Sequence, residues 1–145
     1  MKTAIIYHSE HHGNTRKLVD AIADKHEVTL IEAKEAANAD LSPFDLIGLA
    51  TGIYAFRVHP DIQSAADTLP GGKKVFLIYT CAMPKDSYQK PVVDAVEKSG
   101  CEFTGTFSCQ GYNTFGPFKL IGGTSKGKPD ENDLSAAVSF FESLI

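Results

Sequence analysis

Five short apolar, β-branched runs punctuate the chain, at residues 2–7, 27–31, 45–50, 73–80 and 101–108. The first, third and fourth are apolar almost without interruption, as strands covered on both faces of a parallel sheet must be. The fifth alternates, with Phe103, Gly105 and Phe107 set against Thr104, Thr106 and Ser108, which suits a strand toward a sheet edge. Helical periods fill the intervals. Leu18, Val19, Ile22 and Ala23 make one face of a helix over 14–26. A weaker pattern covers 61–69, and Val92, Val93 and Val96 mark a helix over 88–99. Leu134, Ala137, Val138 and Phe141 fall at i, i+3, i+4 and i+7, with Asp130 or Asn132 placed to cap that last helix. Residues 32–39 are helix-prone but short, and a Ser42-Pro43 turn follows.

Strands alternating with helices at this spacing predict right-handed βαβ crossovers. The expected fold class is α/β, a five-stranded doubly wound parallel sheet in the order 2-1-3-4-5, formed by one domain over residues 1–145. In such sheets ligands bind beyond the C-terminal strand ends where the strand order reverses. That directs attention to residues 8–15, 51–58 and 80–87.

Composition narrows the partners. The 145 residues are 43% apolar and 22% charged, ordinary for a globular protein. The net charge is -4, from 18 acids and 14 bases, and only Arg16 and Arg57 are arginines. Nucleic-acid binding, dominated by basic contacts to phosphate, is therefore not expected. Apolar runs of a few residues fall far short of the roughly 20 that cross a bilayer, so no membrane insertion is expected. Cys81, Cys101 and Cys109 are odd in number and form no Cys-x-x-Cys, which suits reduced thiols in the cytoplasm. Met1-Lys2-Thr3 leads directly into the first strand without a signal-peptide pattern. Several enzyme classes fail on absent residues: there is no Gly-x-x-x-x-Gly-Lys-Ser/Thr, no Gly-x-Ser-x-Gly, and no cysteine with an arginine six positions on. A receiver domain needs an aspartate at the end of strand three, where Ala50-Thr51 stands.

The first loop reads His8-Ser9-Glu10-His11-His12-Gly13-Asn14-Thr15 and opens onto a helix. Unpaired N–H groups and the positive dipole end make a helix N-terminus suited to an anion. Ser9, Asn14 and Thr15 add neutral donors, and Gly13 lets the backbone turn. Asn14 or Thr15 acting only as a helix cap is the plainer alternative. Adjacent histidines rarely ligate one ion and no cluster joins His11-His12 at metal-site spacing, so no metal is expected.

The stretch Ile5-Ile6-Tyr7-His8-Ser9, followed by Gly13-Asn14-Thr15 in a strand–loop–helix setting, resembles the phosphate loop of the flavodoxin family. The resemblance covers the whole chain in length and element order, although only this loop is a sharp motif. It implies flavin mononucleotide (FMN) as cofactor, its phosphate held by Ser9, His11, His12, Gly13, Asn14 and Thr15. The loop is one residue longer than the family's common form, and histidines stand where threonine is usual. In that family the second loop flanks the isoalloxazine, and a rotatable peptide there bonds the reduced ring. Thr51, Gly52, Ile53, Tyr54 and Ala55 occupy that place here. Two aromatics, Tyr54 and Phe56, suit a flat ring, or alternatively a small satellite core. The chain has no tryptophan, and Tyr54 is the candidate to stack in its stead. The third loop, Thr80, Cys81, Ala82 and Met83, would bond the ring's pyrimidine edge through its backbone, although it departs from the family's acidic pattern.

Arg57 and His59 follow the second loop and, if they point inward, would favour an anionic reduced flavin. The roughly twenty residues from Cys109 to Pro129 are long for a connection. Their aromatics and Lys119, Lys126 and Lys128 suit a cover over the site or a docking surface. Two functions remain: an electron carrier between redox partner proteins, a reductase and an acceptor, or an FMN-dependent oxidoreductase acting on a small molecule such as a quinone or porphyrinogen. The missing acid or base favours the first; the long aromatic loop and the weakly acidic surface favour the second.

Overall fold

The computed structural model describes residues 1–9, 13–111 and 127–145. Its elements run β1 (Thr3–Tyr7), α1 (Asn14–Lys25), β2 (Thr29–Glu32), β3 (Leu46–Tyr54), β4 (Arg57–Val58), α2 (Pro60–Asp67), β5 (Lys74–Cys81), α3 (Lys90–Lys98), β6 (Glu102–Gln110) and α4 (Glu131–Glu142). Short 3-10 turns occupy Ala33–Asn38 and Asp86–Tyr88. The sheet order is β2-β1-β3-β5-β6, every neighbouring pair parallel. The five long strands thus stand in the expected 2-1-3-4-5 order, and the alternating fifth strand, β6, is an edge. Among the described residues the one addition is the two-residue β4, antiparallel to the end of β3.

Alternation along the strands feeds two cores. Ala4, Ile6, Ile47, Leu49, Val75 and Leu77 turn to one face and pack with Ile62 and Ala66 of α2 and Val92 and Val96 of α3. Ile5, Tyr7, Leu46, Phe76 and Ile78 turn to the other, against Leu18, Val19 and Ile22 of α1 and Val138 and Phe141 of α4. Each fully buried aliphatic side chain contributes roughly 1.5–3 kcal/mol over its exposed state, so the central strands anchor both layers. Gly48 makes room for one of the largest side chains. A Cβ there would lie 2.3 Å from Phe76 Cζ, and the Phe76 ring meets Phe140 and Phe141 edge-on.

Helix ends follow their local chemistry. Asp130, one of the two expected caps, closes α4 with a capping box: its carboxylate accepts from Asp133 N–H at 3.0 Å while Asp133 accepts from Asp130 N–H at 2.9 Å. Lys128 Nζ sits 2.8 Å from Asp130 and 3.4 Å from Asp133. Among the three lysines offered as a docking surface, Lys128 therefore serves this cap, while Lys119 and Lys126 lie outside the described residues.

Candidate functional site

The C-terminal ends of β1, β3 and β5 meet at the first turn of α1. Gly13 precedes that turn with φ 68°, a left-handed conformation that glycine adopts without penalty. A Cβ on it would meet nothing within 4 Å. Ser9 Oγ accepts the Arg16 N–H at 3.1 Å, which leaves the hydroxyl proton available to a ligand. Thr15, 1% exposed, bonds Thr80 hydroxyl to hydroxyl at 3.0 Å. One such bond uses one hydrogen of the two, so the pair keeps one O–H to donate. Asn14 is buried at the helix start. Gly111, just after β6, packs so close that a Cβ would lie 2.5 Å from Asn14 Nδ2. Its own N–H donates to Cys81 O at 3.1 Å.

These contacts bring Ser9, Gly13, Asn14, Thr15 and Thr80 together. His11 and His12 lie outside the described residues. The first turn's amides, the dipole and the hydroxyls form an arrangement that can hold a phosphate. The neighbouring guanidinium of Arg16 is already engaged: its Nε donates to Asp20 at 2.8 Å and its Nη1 to the Tyr7 hydroxyl, with the cation over the Tyr7 ring at 4.8 Å. The Asp20 hydrogen bond is the first cause that raises its pKa above the ordinary value.

The second segment differs from the expected loop. β3 continues through Thr51, Gly52, Ile53 and Tyr54, and a tight hairpin returns through β4. Thr51 is fully buried; its Oγ1 donates to Gly52 O at 2.7 Å and accepts from His59 N–H at 3.2 Å. Ala55 and Phe56 occupy the turn with φ 51° and 66°. Positive φ at both central residues is what a type I′ hairpin requires, and Asn-Gly is its usual choice. An aromatic in that region is a backbone outlier.

Tyr54 does not project as a free stacking ring. Its ring folds back over Gly52, whose Cβ would lie 3.1 Å from the Tyr54 hydroxyl, and stands edge-on to His8 and His59. Phe56 is the aromatic presented outward, 80% exposed, with Lys85 Nζ 5.9 Å from its centroid. Ala82 is half-buried and Met83 is 66% exposed beyond β5. Cys81 is buried, its thiol pushed up to about 11 by desolvation, so it is no nucleophile at neutral pH.

Of the two basic groups after the hairpin, Arg57 is exposed and His59 points inward. His59 lies face to face with His8, centroids 3.5 Å apart and planes 14° from parallel. Sequence reasoning offered Phe56 beside Tyr54 as an aromatic suited to a flat ring but did not connect the two histidines. With Asp61 they bring possible metal-ligating atoms within 4.8 Å of one another. Parallel rings aim their in-plane lone pairs side by side, whereas ligation needs them to converge on one point. Flanking the hairpin on the α2 side, a cleft of about 490 Å³ is lined by Arg57, Val58, Pro60, Gln63, Ser64 and Pro91. None of the residues expected to hold a ligand lines it.

A flavodoxin-domain family model matches residues 4–114. The chain belongs to the flavodoxin family. An uncharacterized protein of Methanocaldococcus jannaschii is 35% identical over the whole of this chain and 99% of its own length. Among solved structures, a flavodoxin of Streptococcus pneumoniae TIGR4 superposes with TM-score 0.67 at 18% identity, covering 99% of this chain and 97% of that one. A flavoprotein of Lactobacillus acidophilus, solved in complex with FMN, superposes with TM-score 0.60 at 17% identity over 74% of this chain and 92% of its own. These similarities establish the flavodoxin fold and family. No helix among the described residues is long and apolar enough to cross a membrane.

Proposed function

We propose that this flavodoxin-family chain binds FMN across the ends of β1, β3 and β5 and carries electrons between redox partner proteins, a reductase and an acceptor, in the cytoplasm. The observation that carries the proposal is the meeting of Ser9, Thr15 and Thr80 hydroxyls with the glycine-led first turn of α1. That donor set is neutral and preformed, as a phosphate ester at a helix N-terminus needs. FMN, when bound, supplies the electron transfer itself.

The chain's own residues supply placement. Ser9 donates its hydroxyl proton and the Asn14 and Thr15 amides face the phosphate, with His11 and His12 extending the same loop. Thr51, Gly52 and Ile53 set the floor beneath the ring, Phe56 at the hairpin tip covers one face, and the Cys81, Ala82 and Met83 backbone meets the pyrimidine edge. Phe56 replaces Tyr54 in the stacking role because Tyr54 is committed to the histidine rings. The exposed Phe56 and Met83 exclude water from the ring.

A second reading, an FMN-dependent oxidoreductase of a quinone- or porphyrinogen-like molecule, is favoured by the cleft beside the hairpin. Its volume of about 490 Å³ falls in the range of small-molecule sites. Stopped-flow mixing of FMN-loaded protein with NAD(P)H separates the two. Loss of visible flavin absorbance only after a separate reductase is added supports the carrier; direct, rapid loss supports the enzyme. Protein that is colourless as purified and takes up no FMN refutes both.

A further inference from the structure

The His8–His59 stack occupies the junction of the first two binding segments. His8 extends β1 by one step, its N–H donating to Ala50 O at 2.9 Å, and Ser9 follows it directly. His59 holds the start of α2, where its Nδ1 accepts the Asp61 N–H at 3.1 Å. The Asp61 carboxylate stands 3.8 Å from the same nitrogen. Among the described residues, Tyr54 of β3 and Asp61 of α2 are the titratable groups that meet the pair, and Arg57 of β4 is exposed. A fully apolar pair would fill this space without a titratable atom, so the imidazoles bring chemistry that packing does not require.

A phosphate monoester carries close to two negative charges. The nearest described guanidinium, that of Arg16, is bound to Asp20 and Tyr7. We propose that the stacked His8–His59 pair is the counter-charge of the phosphate site, taking up a proton as a phosphate monoester binds and so favouring the mononucleotide over an uncharged flavin. This rests on the FMN reading above.

Two unit charges at 3.5 Å repel, so the pair holds at most one extra proton. His59 uses its Nδ1 lone pair to cap α2, which places its own proton on Nε2. The additional proton therefore goes to His8, the ring next to Ser9. Asp61 favours the charged pair, and the positive end of the α2 dipole opposes it. An arriving anion tips that balance. The proton comes from solvent, and no covalent bond forms or breaks.

Calorimetric titration of FMN into the apoprotein, run near pH 7 in buffers of different ionisation enthalpy, reads the proton directly. A net uptake of protons, at most one per FMN, is expected. Riboflavin, which lacks the phosphate, should show none. His8→Gln and His8→Asn should each abolish the uptake; if one variant fails to fold, the other carries the test. As pH rises the wild type should lose FMN affinity relative to the variants, by at most about tenfold per pH unit for one linked proton. Phosphate's own ionisation is common to all forms and cancels in that ratio. Tight FMN binding with no proton uptake, or identical pH profiles in wild type and variants, overturns the counter-charge role and leaves the phosphate site standing. Absence of FMN binding by the wild type overturns both.

Discussion

Gly13→Asp separates the stability of the apoprotein from its affinity for a phosphate. The position precedes α1, has φ 68°, and a Cβ there would meet nothing within 4 Å. Two effects act on the fold with opposite sign. A non-glycine residue in the left-handed region costs about 1–2 kcal/mol, less for Asp and Asn. A carboxylate beside the positive end of a helix returns about 0.3–1 kcal/mol. The net change is within about 1 kcal/mol, a melting shift of roughly 2–4 °C for a chain of this size.

Binding should respond on another scale. A carboxylate about 5 Å from a phosphate dianion, with solvent screening most of the bare repulsion, costs about 2–3 kcal/mol. That weakens FMN binding roughly 30- to 150-fold. Gly13→Asn shares the shape and the backbone cost without the charge, so it should stay within a few-fold of wild type. Fluorescence quenching on FMN titration gives the affinities, and thermal melts of the apo forms give the stabilities. Equal FMN affinity in the Asp and Asn variants would show that the phosphate sits elsewhere than the first turn of α1.

Other consequences follow from the same geometry. Replacing the hairpin tip by Ala55→Asn with Phe56→Gly supplies residues suited to its positive φ values, and should raise stability by about 1–2 kcal/mol in thermal or denaturant melts; it should also weaken FMN binding by removing the outward aromatic. Gly48→Ala forces a methyl against the buried Phe76 ring and should cost roughly 1–3 kcal/mol or more, read as a lower urea midpoint at unchanged m-value. Burial raises the thiols of Cys81 to about 11 and Cys109 to about 12, so neither should react with a disulfide reagent near pH 8 until denaturant opens the fold. The Lys128 hydrogen bond, then the Asp133 N–H, holds Asp130 at about 2 against an ordinary 3.8. A depressed folded value means the stabilisation is complete above the ordinary value and fades as pH falls from about 4 toward 2; acid unfolding of Asp130→Asn should lack that component.

The sheet was readable from the chain because its physics is periodic. Strands β1, β3 and β5 are covered on both faces, and that demand writes uninterrupted apolar runs such as Val75-Phe76-Leu77-Ile78. The first loop was readable because Gly13-Asn14-Thr15 combines a positive φ, buried polar groups and a helix start within three residues. The hairpin was not. Its tip carries Ala55-Phe56, neither a turn former, and Ile53-Tyr54 extends the strand without a break, so nothing in the local composition marks the reversal.

The unmarked reversal also decides which aromatic faces outward. With no tryptophan in the chain, Tyr54 is the sequence's candidate to stack, whereas alternation along an extended β3 turns it onto the histidines and the reversal carries Phe56 outward. The His8–His59 contact was hidden for a related reason: it is created by the register Tyr7↔Ala50 between β1 and β3 together with the hairpin's return to α2. No local signal pairs the two, because each is the residue that follows a different strand. Pairing of distant strand ends is set by the assembled sheet, so the least legible contacts in this chain are those at the switch point. A backbone that holds a bulky residue at positive φ on the surface has a stability cost that its own packing does not offset. The hairpin substitution is thus the sharpest probe of the site: a variant that is more stable and binds FMN as well as wild type would show that Phe56 has no part in holding the ring.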